Sequence, residues 1–205
     1  MSLFGASMKL NAKQLRNYQP SAISRQSAKK NDIYIILDNV LDTYNVGALF
    51  RLADAVAAEK VFLCGETETP PNPKIKKASV NTWQWVTWQY AETAVEAINV
   101  IASKAKQSRP NHPEQPDEIA TPHHGGARDD GVFVVAVEQH EKIVPLSQLK
   151  PEFPIAVVIG NETYGVSKEA LQLADTIVEL PMFGINTSLN VMVSCGIVLY
   201  KIIGC

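Results

Sequence analysis

The sequence lacks any apolar run of the length that a membrane-spanning helix needs. Its longest apolar stretches, IAVVIG and VFVVAV, have the length of strands, whereas a spanning helix takes roughly 18 or more apolar residues. The N-terminus also lacks the apolar core and small-residue cleavage site of a secretory signal. We therefore predict a cytoplasmic protein with no membrane partner.

Cysteine is scarce, and the usual fingerprints of metal and nucleotide sites are missing. The three cysteines, Cys64, Cys195 and Cys205, lie far apart, and their spacing fits neither a disulfide framework nor a zinc site. His123 and His124 stand in a polar loop without cysteine or carboxylate partners at ligand spacing. The segment NVGALFR has a single glycine, whereas a phosphate-binding loop needs several. We predict no metal site and no cradle for nucleotide phosphates.

Acidic residues are absent from the first 31 positions, although the whole chain has a net charge of -2. The charged residues of this segment are Lys9, Lys13, Arg16, Arg25, Lys29 and Lys30. Such an arm suits a polyanion, and the alternative is a solvated tail without a partner. We predict a basic arm over residues 1–31, in which residues 1–7, ahead of a second methionine, are interpreted as non-native residues that take no part in the fold.

The rest of the chain alternates between strand-like and helix-like patterns. Apolar runs at 33–37, 60–65, 85–90, 132–138, 155–160 and 176–180 predict strands, and segments at 46–58, 91–107, 167–173 and from about 188 predict helices. A polar stretch over 108–131 predicts an exposed loop. Buried strands separated by helices are typical of a parallel sheet covered by helices on both faces. We predict one α/β domain over residues 32–205.

Ligands of such sheets bind beyond the carboxyl ends of the strands, and the loops there carry unusual polar residues. In DNVLDTYNVGALFR, Asn45 stands at a helix start and Arg51 falls on the face away from the apolar residues. The alternative is a capping asparagine and a surface arginine paired with Asp54. In VVIGNETYGVSKEAL, Gly160 and Glu162 interrupt a buried strand, which suits either the close approach of a ligand or a tight turn.

The third such loop, MFGINTSLNV, places a glycine and several polar residues directly before an apolar C-terminal helix. An ordinary helix start, with Thr187 or Ser188 as the N-cap, would explain the stretch taken alone.

In chain order, NVGALFRLADA, VVIGNETYGVS and ELPMFGINTSLNVMVSCGI resemble the three motifs of the SpoU family of RNA ribose 2′-O-methyltransferases, within the SPOUT superfamily. The resemblance spans roughly residues 33 to 200 and includes the linking segment VFLCGETETPPNPKIKKAS. It departs from the family pattern at Asn81 and Thr82, where a Gly-Ala pair is more typical. The resemblance implies a deep trefoil knot at the C-terminal end, a topology that general folding rules exclude.

The resemblance also implies an activity, namely methyl transfer from S-adenosylmethionine to a ribose 2′-hydroxyl of tRNA or ribosomal RNA. A short N-terminal extension favours tRNA. The residues that match the donor pocket of the family are Val137, Gly160, Leu180, Met182, Ser188 and Leu189. The residues that match its catalytic positions are Asn45, Arg51, Glu162 and Asn190. The alternative is a catalytically silent RNA-binding scaffold of the same fold, against which the intact motifs argue.

The role of Arg51 stays open at this point. In similar enzymes the matching arginine is proposed as the base that deprotonates the ribose hydroxyl. Guanidinium groups have pKa values above about 12, so a neutral one requires strong burial. The alternative is a cationic Arg51 that grips a phosphate and stabilises the forming alkoxide, with Glu162 orienting it or accepting the proton.

The resemblance finally implies a homodimer that pairs through the knot region. The segment LNVMVSCGIVLYKIIGC is apolar over most of a helix circumference, which favours a buried interface. We predict that Val191, Cys195, Val198 and Ile202, at helical spacing, form the contact. The alternative is burial of the whole helix within one subunit.

Overall fold

The computed structural model describes residues 11–17, 29–108, 131–141 and 143–205. The strands in these ranges are β1 (Asn31–Asp38), β2 (Ala58–Cys64), β3 (Trp88–Ala91), β4 (Phe133–Val137), β5 (Val144–Pro145), β6 (Ile155–Ile159) and β7 (Thr176–Glu179). The α-helices are α1 (Ala12–Asn17), α2 (Thr43–Ala55), α3 (Pro73–Ser79), α4 (Ala94–Ser108), α5 (Lys168–Gln172) and α6 (Val191–Ile202). Short 3-10 turns occupy Thr82–Gln84 and Leu146–Gln148.

All seven strands join one parallel sheet in the order β3-β2-β1-β6-β4-β7-β5. The strand β6 lies between β1 and β4, so the two halves of the chain meet at the centre of the sheet. Because parallel strands end at the same edge, the loops that follow β4, β6 and β7 lie side by side. The predicted parallel sheet is confirmed.

Helices cover both faces of this sheet, as predicted. On one face Ile33, Ile35 and Leu37 of β1 pack in a buried cluster with residues of α2, α3 and α6. On the other face Tyr34 and Ile36 pack with residues of α4 and α5. The alternation along β1 follows from the two-residue period of a strand, and both sets of side chains are apolar because neither face meets water.

The structure contains two elements that the sequence did not predict, because both are short. The helix α3 follows the proline-rich loop, with Asn72 accepting hydrogen bonds from the amides of Lys74 and Ile75 and Pro73 in the first turn. The edge strand β5 has only two residues, of which one is a proline. Neither was predicted.

The helices α2 and α6 begin at capping residues other than the expected ones. Asp42, not Asn45, is the N-cap of α2, and its side chain accepts a hydrogen bond from the Tyr44 amide. Asn190, not Thr187 or Ser188, is the N-cap of α6. The side chains of Asn45 and Ser188 are therefore available for other contacts.

The departure at Asn81 has a conformational explanation. Val80 and Asn81 both have positive φ values, 51° and 69°, at the end of α3. Asparagine adopts this left-handed region more readily than other non-glycine residues. Asn81 thus takes the backbone shape that the more typical glycine would take.

The predicted dimer contact is wrong in its residues. Cys195, Val198 and Ile202 are buried within the subunit itself, and Val191 packs against the same core. The helix instead exposes Val193, Ile197 and Tyr200, each about 40% accessible. Because the sequence of α6 is apolar on nearly all sides, its pattern does not predict which side faces the core of its own subunit.

Most of the predicted basic arm and of the polar loop, with His123 and His124, lies outside the described residues. Lys30, at the end of the predicted arm, is bound to the domain, since its Nζ donates to the Glu59 carbonyl oxygen at 2.9 Å and to Thr87 Oγ1 at 2.8 Å. Within the described ranges no helix has the length and apolarity to cross a bilayer. The same ranges contain no group of three or more His, Cys, Asp or Glu side chains that could hold a metal ion.

Candidate active site

A cavity of about 520 Å³ opens at the carboxyl edge of the sheet. Its walls come from the ends of β4, β6 and β7 and from the loop that precedes α6. Most of the residues predicted for the donor pocket line it, namely Val137, Gly160, Leu180, Ser188 and Leu189. Met182, predicted with them, is half-buried but is not among the lining residues.

Three of the four predicted catalytic residues form one chain of hydrogen bonds beside this cavity. Asn190 Nδ2 donates to Asn45 Oδ1 at 3.0 Å, and Asn45 Nδ2 donates to Glu162 Oε1 at 3.0 Å. Glu162 and Asn190 also line the cavity. The three residues come from α2, from the loop after β6 and from the cap of α6, so the sheet brings distant segments together.

The direction of this chain is fixed at both of its ends. Asn190 Oδ1 accepts from the Met192 amide at 2.9 Å, which leaves its Nδ2 as the donor to Asn45. At the other end an ionised carboxylate can only accept. Each side-chain amide therefore has a single orientation, and the start of α6 is coupled to the start of α2.

Glu162 is held as an anion by the turn before α2. Its Oε2 accepts from the Leu41 amide at 3.0 Å, and its Oε1 accepts from the Asp42 amide at 3.1 Å. Partial burial raises the pKa of the Glu162 carboxyl, but the hydrogen bonds from Asn45 and from the backbone amides outweigh it, so the net pKa lies below its ordinary value. This carboxylate is therefore a poor proton acceptor. Its hydrogen bonds hold the turn before α2 against the loop that follows β6.

A Glu162→Gln variant should be less stable than the wild type by about 0.5 to 1.5 kcal/mol at pH 7, because its amide would turn a donor toward an N–H group that the carboxylate now accepts from, at a site where water replaces part of the lost bond. Since the folded-state pKa of Glu162 is lowered, its stabilisation is complete above the ordinary glutamate pKa of about 4.3 and is lost as the pH falls through the folded value. The difference between variant and wild type should thus shrink below about pH 4.

Urea unfolding of both proteins between pH 7 and pH 3 measures this difference. Glu152→Gln is the matched control, since Glu152 is exposed and no described residue bonds to its side chain. If the difference in unfolding free energy between Glu162→Gln and the wild type stays constant over this pH range, the ionised Glu162 carboxylate does not stabilise the fold as proposed.

Arg51 lies apart from this cluster. It follows Asn45 by six residues, about 1.7 helical turns, so the two side chains leave different faces of α2. Its side chain is exposed and does not line the cavity. In the described part of the chain no hydrogen bond joins it to Glu162 or Asp54, and Asp54 instead accepts from Trp85 Nε1 at 2.7 Å.

Gly160 is required by the chain's own backbone. A Cβ atom there would lie 2.1 Å from the carbonyl carbon of Gly165 and 2.1 Å from the amide nitrogen of Val166. The contact closes a tight turn in which Asn161 and Gly165 exchange backbone hydrogen bonds of 2.9 Å. Of the two explanations open for Gly160, the tight turn is the one that this geometry supports.

Two carboxylates that shape this turn were not predicted. Glu138, directly after β4, accepts from the Val166 amide at 2.7 Å, and Asp38, at the end of β1, accepts from the Ser167 amide at 2.8 Å. Both residues stand at carboxyl ends of strands, so the rule that pointed to the other loops could have found them.

The loop before α6 has backbone amides without a hydrogen-bond acceptor among the described residues. Gln139 Nε2 donates to the Thr187 carbonyl oxygen and fastens the loop to the end of β4. No described residue accepts a hydrogen bond from the backbone N–H groups of residues 182 to 189. Amides of this kind beside a cavity suit a ligand with several hydrogen-bond acceptors.

The model of the SpoU rRNA methylase family matches residues 32–120 and 125–200. The chain belongs to the SpoU rRNA methylase family. Curated relatives include a tRNA (guanosine(18)-2'-O)-methyltransferase of Thermus thermophilus, 25% identical over 84% of this chain and 75% of the relative. Another is the 23S rRNA (guanosine-2'-O-)-methyltransferase RlmB of Haemophilus influenzae, 27% identical over 85% of this chain and 61% of the relative.

Solved SpoU structures share the fold. The AviRb methyltransferase of Streptomyces viridochromogenes in complex with AdoMet superposes with a TM-score of 0.68 at 20% identity, over 88% of this chain and 63% of that one. The A. aeolicus TrmH/SpoU tRNA modifying enzyme gives a TM-score of 0.65 at 24% identity, over 93% of this chain and 80% of that one. The chain thus spans less than two thirds of the length of AviRb and of RlmB.

Proposed function

We propose that this protein transfers a methyl group from S-adenosylmethionine to a ribose 2′-hydroxyl of tRNA or ribosomal RNA. The observation that carries the proposal is the hydrogen-bonded cluster of Asn45, Glu162 and Asn190, which joins three family motifs at the rim of one cavity. Relatives named for both tRNA and ribosomal RNA methylation support the reaction without choosing between the two RNAs.

The cavity fits the methyl donor in size and chemistry. Its volume of about 520 Å³ lies within the range of small-molecule pockets, about 300 to 1,000 Å³. Leu180 and Leu189 offer apolar contact for a purine ring, and the amides of the neighbouring loop, which have no acceptor among the described residues, offer donors to its edge. When bound, S-adenosylmethionine would supply a methyl group on a sulfonium, and transfer of this group to an oxygen nucleophile breaks the carbon–sulfur bond and releases a neutral thioether.

The residues of the chain then have separate tasks. Glu162 and Asn190 hold the rim of the pocket through Asn45, and this fixes the distance between α2 and α6. Arg51 is exposed, so it lacks the burial that a neutral guanidinium would need. We assign it a cationic role, in which it binds a phosphate of the substrate.

Titration calorimetry with S-adenosylmethionine and a methyl-transfer assay with unfractionated tRNA and ribosomal RNA test the proposal. We expect donor binding and RNA-dependent transfer of the methyl group, with mapping that places it on a ribose. Donor binding without transfer to either RNA would contradict the proposed activity. Failure to bind the donor would favour the silent RNA-binding scaffold.

We further propose that the segment from β6 to α6 forms the trefoil knot that the resemblance implies, within a methyltransferase domain over residues 32–205 that works in the cytoplasm. The supporting observation is the path of the chain after β6. It crosses past β4 to form β7, and then returns so that α6 packs against α2. A crystal structure of the protein with its donor would test the threading.

We also propose a homodimer, with contact residues corrected by the burial of α6. Val193, Ile197 and Tyr200 recur at helical spacing on the exposed side of α6. Leu41 and Tyr44, each about half exposed, precede and open α2, whose first turn is joined to α6 through Asn45 and Asn190. We propose that these exposed apolar residues of α6 and of the start of α2 together meet the same residues of a second copy in an isologous contact.

An Ile197→Glu variant should behave as a monomer, because a charge would be buried twice in a symmetric interface. Light scattering should report about twice the 22.5 kDa chain mass for the wild type and about that mass for the variant. Val100→Glu, on the exposed side of α4, is the matched control and should stay dimeric. A wild type that scatters as a monomer at micromolar concentration would refute the dimer.

A further inference from the structure

The helix α3 carries an unusual surface charge for a protein with a net charge of -2. From Thr69 to Ala91 the sequence contains three lysines and no acidic residue. All three, Lys74, Lys76 and Lys77, belong to α3, and all three are exposed. No hydrogen bond or ion pair joins their ammonium groups to any described residue.

The position of α3 is fixed by a close contact with α2. A Cβ atom on Gly47 would lie 2.6 Å from the Ala78 Cβ and 2.8 Å from the Ile75 carbonyl oxygen. The absence of a side chain at Gly47 therefore lets the backbone of α2 meet α3 directly. The lysines of α3 are on a rigid element, not on a loose loop.

The same contact places α3 beside Arg51. Gly47 and Arg51 are four residues apart on α2, so they lie on the same side of the helix, one turn apart. Asp54, the next residue in this row, is engaged with Trp85 Nε1 and leaves Arg51 without an acidic partner among the described residues. We group the four exposed cations of this packed helix pair under one name, the α3 basic surface: Arg51, Lys74, Lys76 and Lys77.

A second group of lysines shows what a structural role looks like in this protein. Lys60 donates to Gln89 Oε1 at 3.1 Å, and Lys104 forms an ion pair with Glu59 at 2.7 Å. Lys30 binds the Glu59 carbonyl oxygen and Thr87. These cations, near the amino ends of the strands, have partners within the fold, whereas the α3 lysines have none that the structure describes.

We infer that the α3 basic surface binds consecutive phosphates of the RNA substrate and leads the strand toward the catalytic cavity. The inference rests on the proposed function and adds the path of the RNA backbone to it. Lysine and arginine that lack protein partners are the groups that displace counterions from a nucleic acid, and such contacts position the strand without reading its sequence. Gly47, the residue of α2 that meets α3, follows Asn45 by two positions, and Asn45 is joined to the rim of the cavity.

The test compares two triple variants with the same change in charge. One is Lys74→Gln, Lys76→Gln and Lys77→Gln; the control is Lys106→Gln, Lys150→Gln and Lys168→Gln, all exposed lysines on other elements. Affinity for unfractionated tRNA and, separately, for ribosomal RNA is measured at KCl concentrations between about 50 and 200 mM, where counterion release governs binding.

The α3 variant should lose about 10²-fold in RNA affinity at the lowest salt concentration. The slope of log affinity against log salt concentration should become less negative by about 2 to 3, since each phosphate contact contributes roughly 0.7 to 0.9. The control should change far less in both quantities. In calorimetry, both variants should bind S-adenosylmethionine with the affinity of the wild type. Such binding shows that each variant is folded. Should the triple variant fail to fold, Lys76→Gln and Lys77→Gln singly should each flatten the slope by about one.

A salt slope for the α3 variants equal to that of the control would overturn the inference while leaving the proposed function intact, provided that the wild type methylates RNA. A wild type that neither binds nor methylates either RNA would overturn the proposed function, and the inference with it.

Discussion

An Arg51→Gln variant should lose about 10²-fold in kcat/KM for RNA methylation, because a strand that loses a charge-assisted phosphate contact is misplaced at the reacting centre. An Arg51→Lys variant should keep much of the activity, because lysine retains the charge and loses only the forked geometry of the guanidinium. The exposure of Arg51 is the reason to expect a charge requirement here. Initial-rate kinetics with wild type and both variants measure the difference.

RNA affinity separates this role from that of a general base. If Arg51 binds a phosphate, Arg51→Gln should also flatten the salt dependence of RNA binding by about one, and Arg51→Lys should not. A base role predicts another pattern, in which both variants lose kcat and both keep wild-type RNA affinity and salt slope. That second pattern would refute the cationic role proposed for Arg51.

The parallel sheet could be predicted because its central strands are buried on both faces. In β1 the residues from Ile33 to Leu37 are all buried, so the strand reads as an unbroken apolar run and not as an alternating one. The same holds for β6 from Ile155 to Ile159. Runs of this length bounded by polar loops leave little choice other than a strand.

The smaller elements escaped prediction for the opposite reason. The helix α3 has seven residues and β5 has two, so neither contains enough residues to show a period. The signal for α3 is Asn72 followed by Pro73, a capping residue and a proline, but the same two residue types are also common in loops. Short elements of this kind depend on their contacts with larger ones, here the contact of α3 with Gly47.

The site required information that local patterns do not contain. Asn45 is 117 positions from Glu162 and 145 positions from Asn190, yet hydrogen bonds join all three. Periodicity predicts which residues face a core, but not which loops meet at the edge of a sheet. The resemblance of three motifs to one family supplied this grouping. It did not supply the place of Arg51 on another face of α2, which became visible only in the structure.

A Gly160→Ala variant should be destabilised by about 3 kcal/mol or more and should lose S-adenosylmethionine binding. The added Cβ would lie 2.1 to 2.3 Å from backbone atoms of Gly165 and Val166, well inside contact distance. Side chains can rotate away from such a clash, but this backbone is held by the hydrogen bonds between Asn161 and Gly165. Overpacking of this kind costs about 1 to 3 kcal/mol even where neighbours can move.

Gly184→Ala is the matched control, because it makes the same chemical change in the loop that leads from β7 to α6. A Cβ atom on Gly184 would have no neighbour within 4 Å, and its backbone is not in the left-handed region. This variant should therefore bind the donor and unfold in urea much as the wild type does. If Gly160→Ala unfolds at the wild-type urea concentration, the turn from Gly160 to Val166 is not the rigid wall of the cavity that the clash at Gly160 implies.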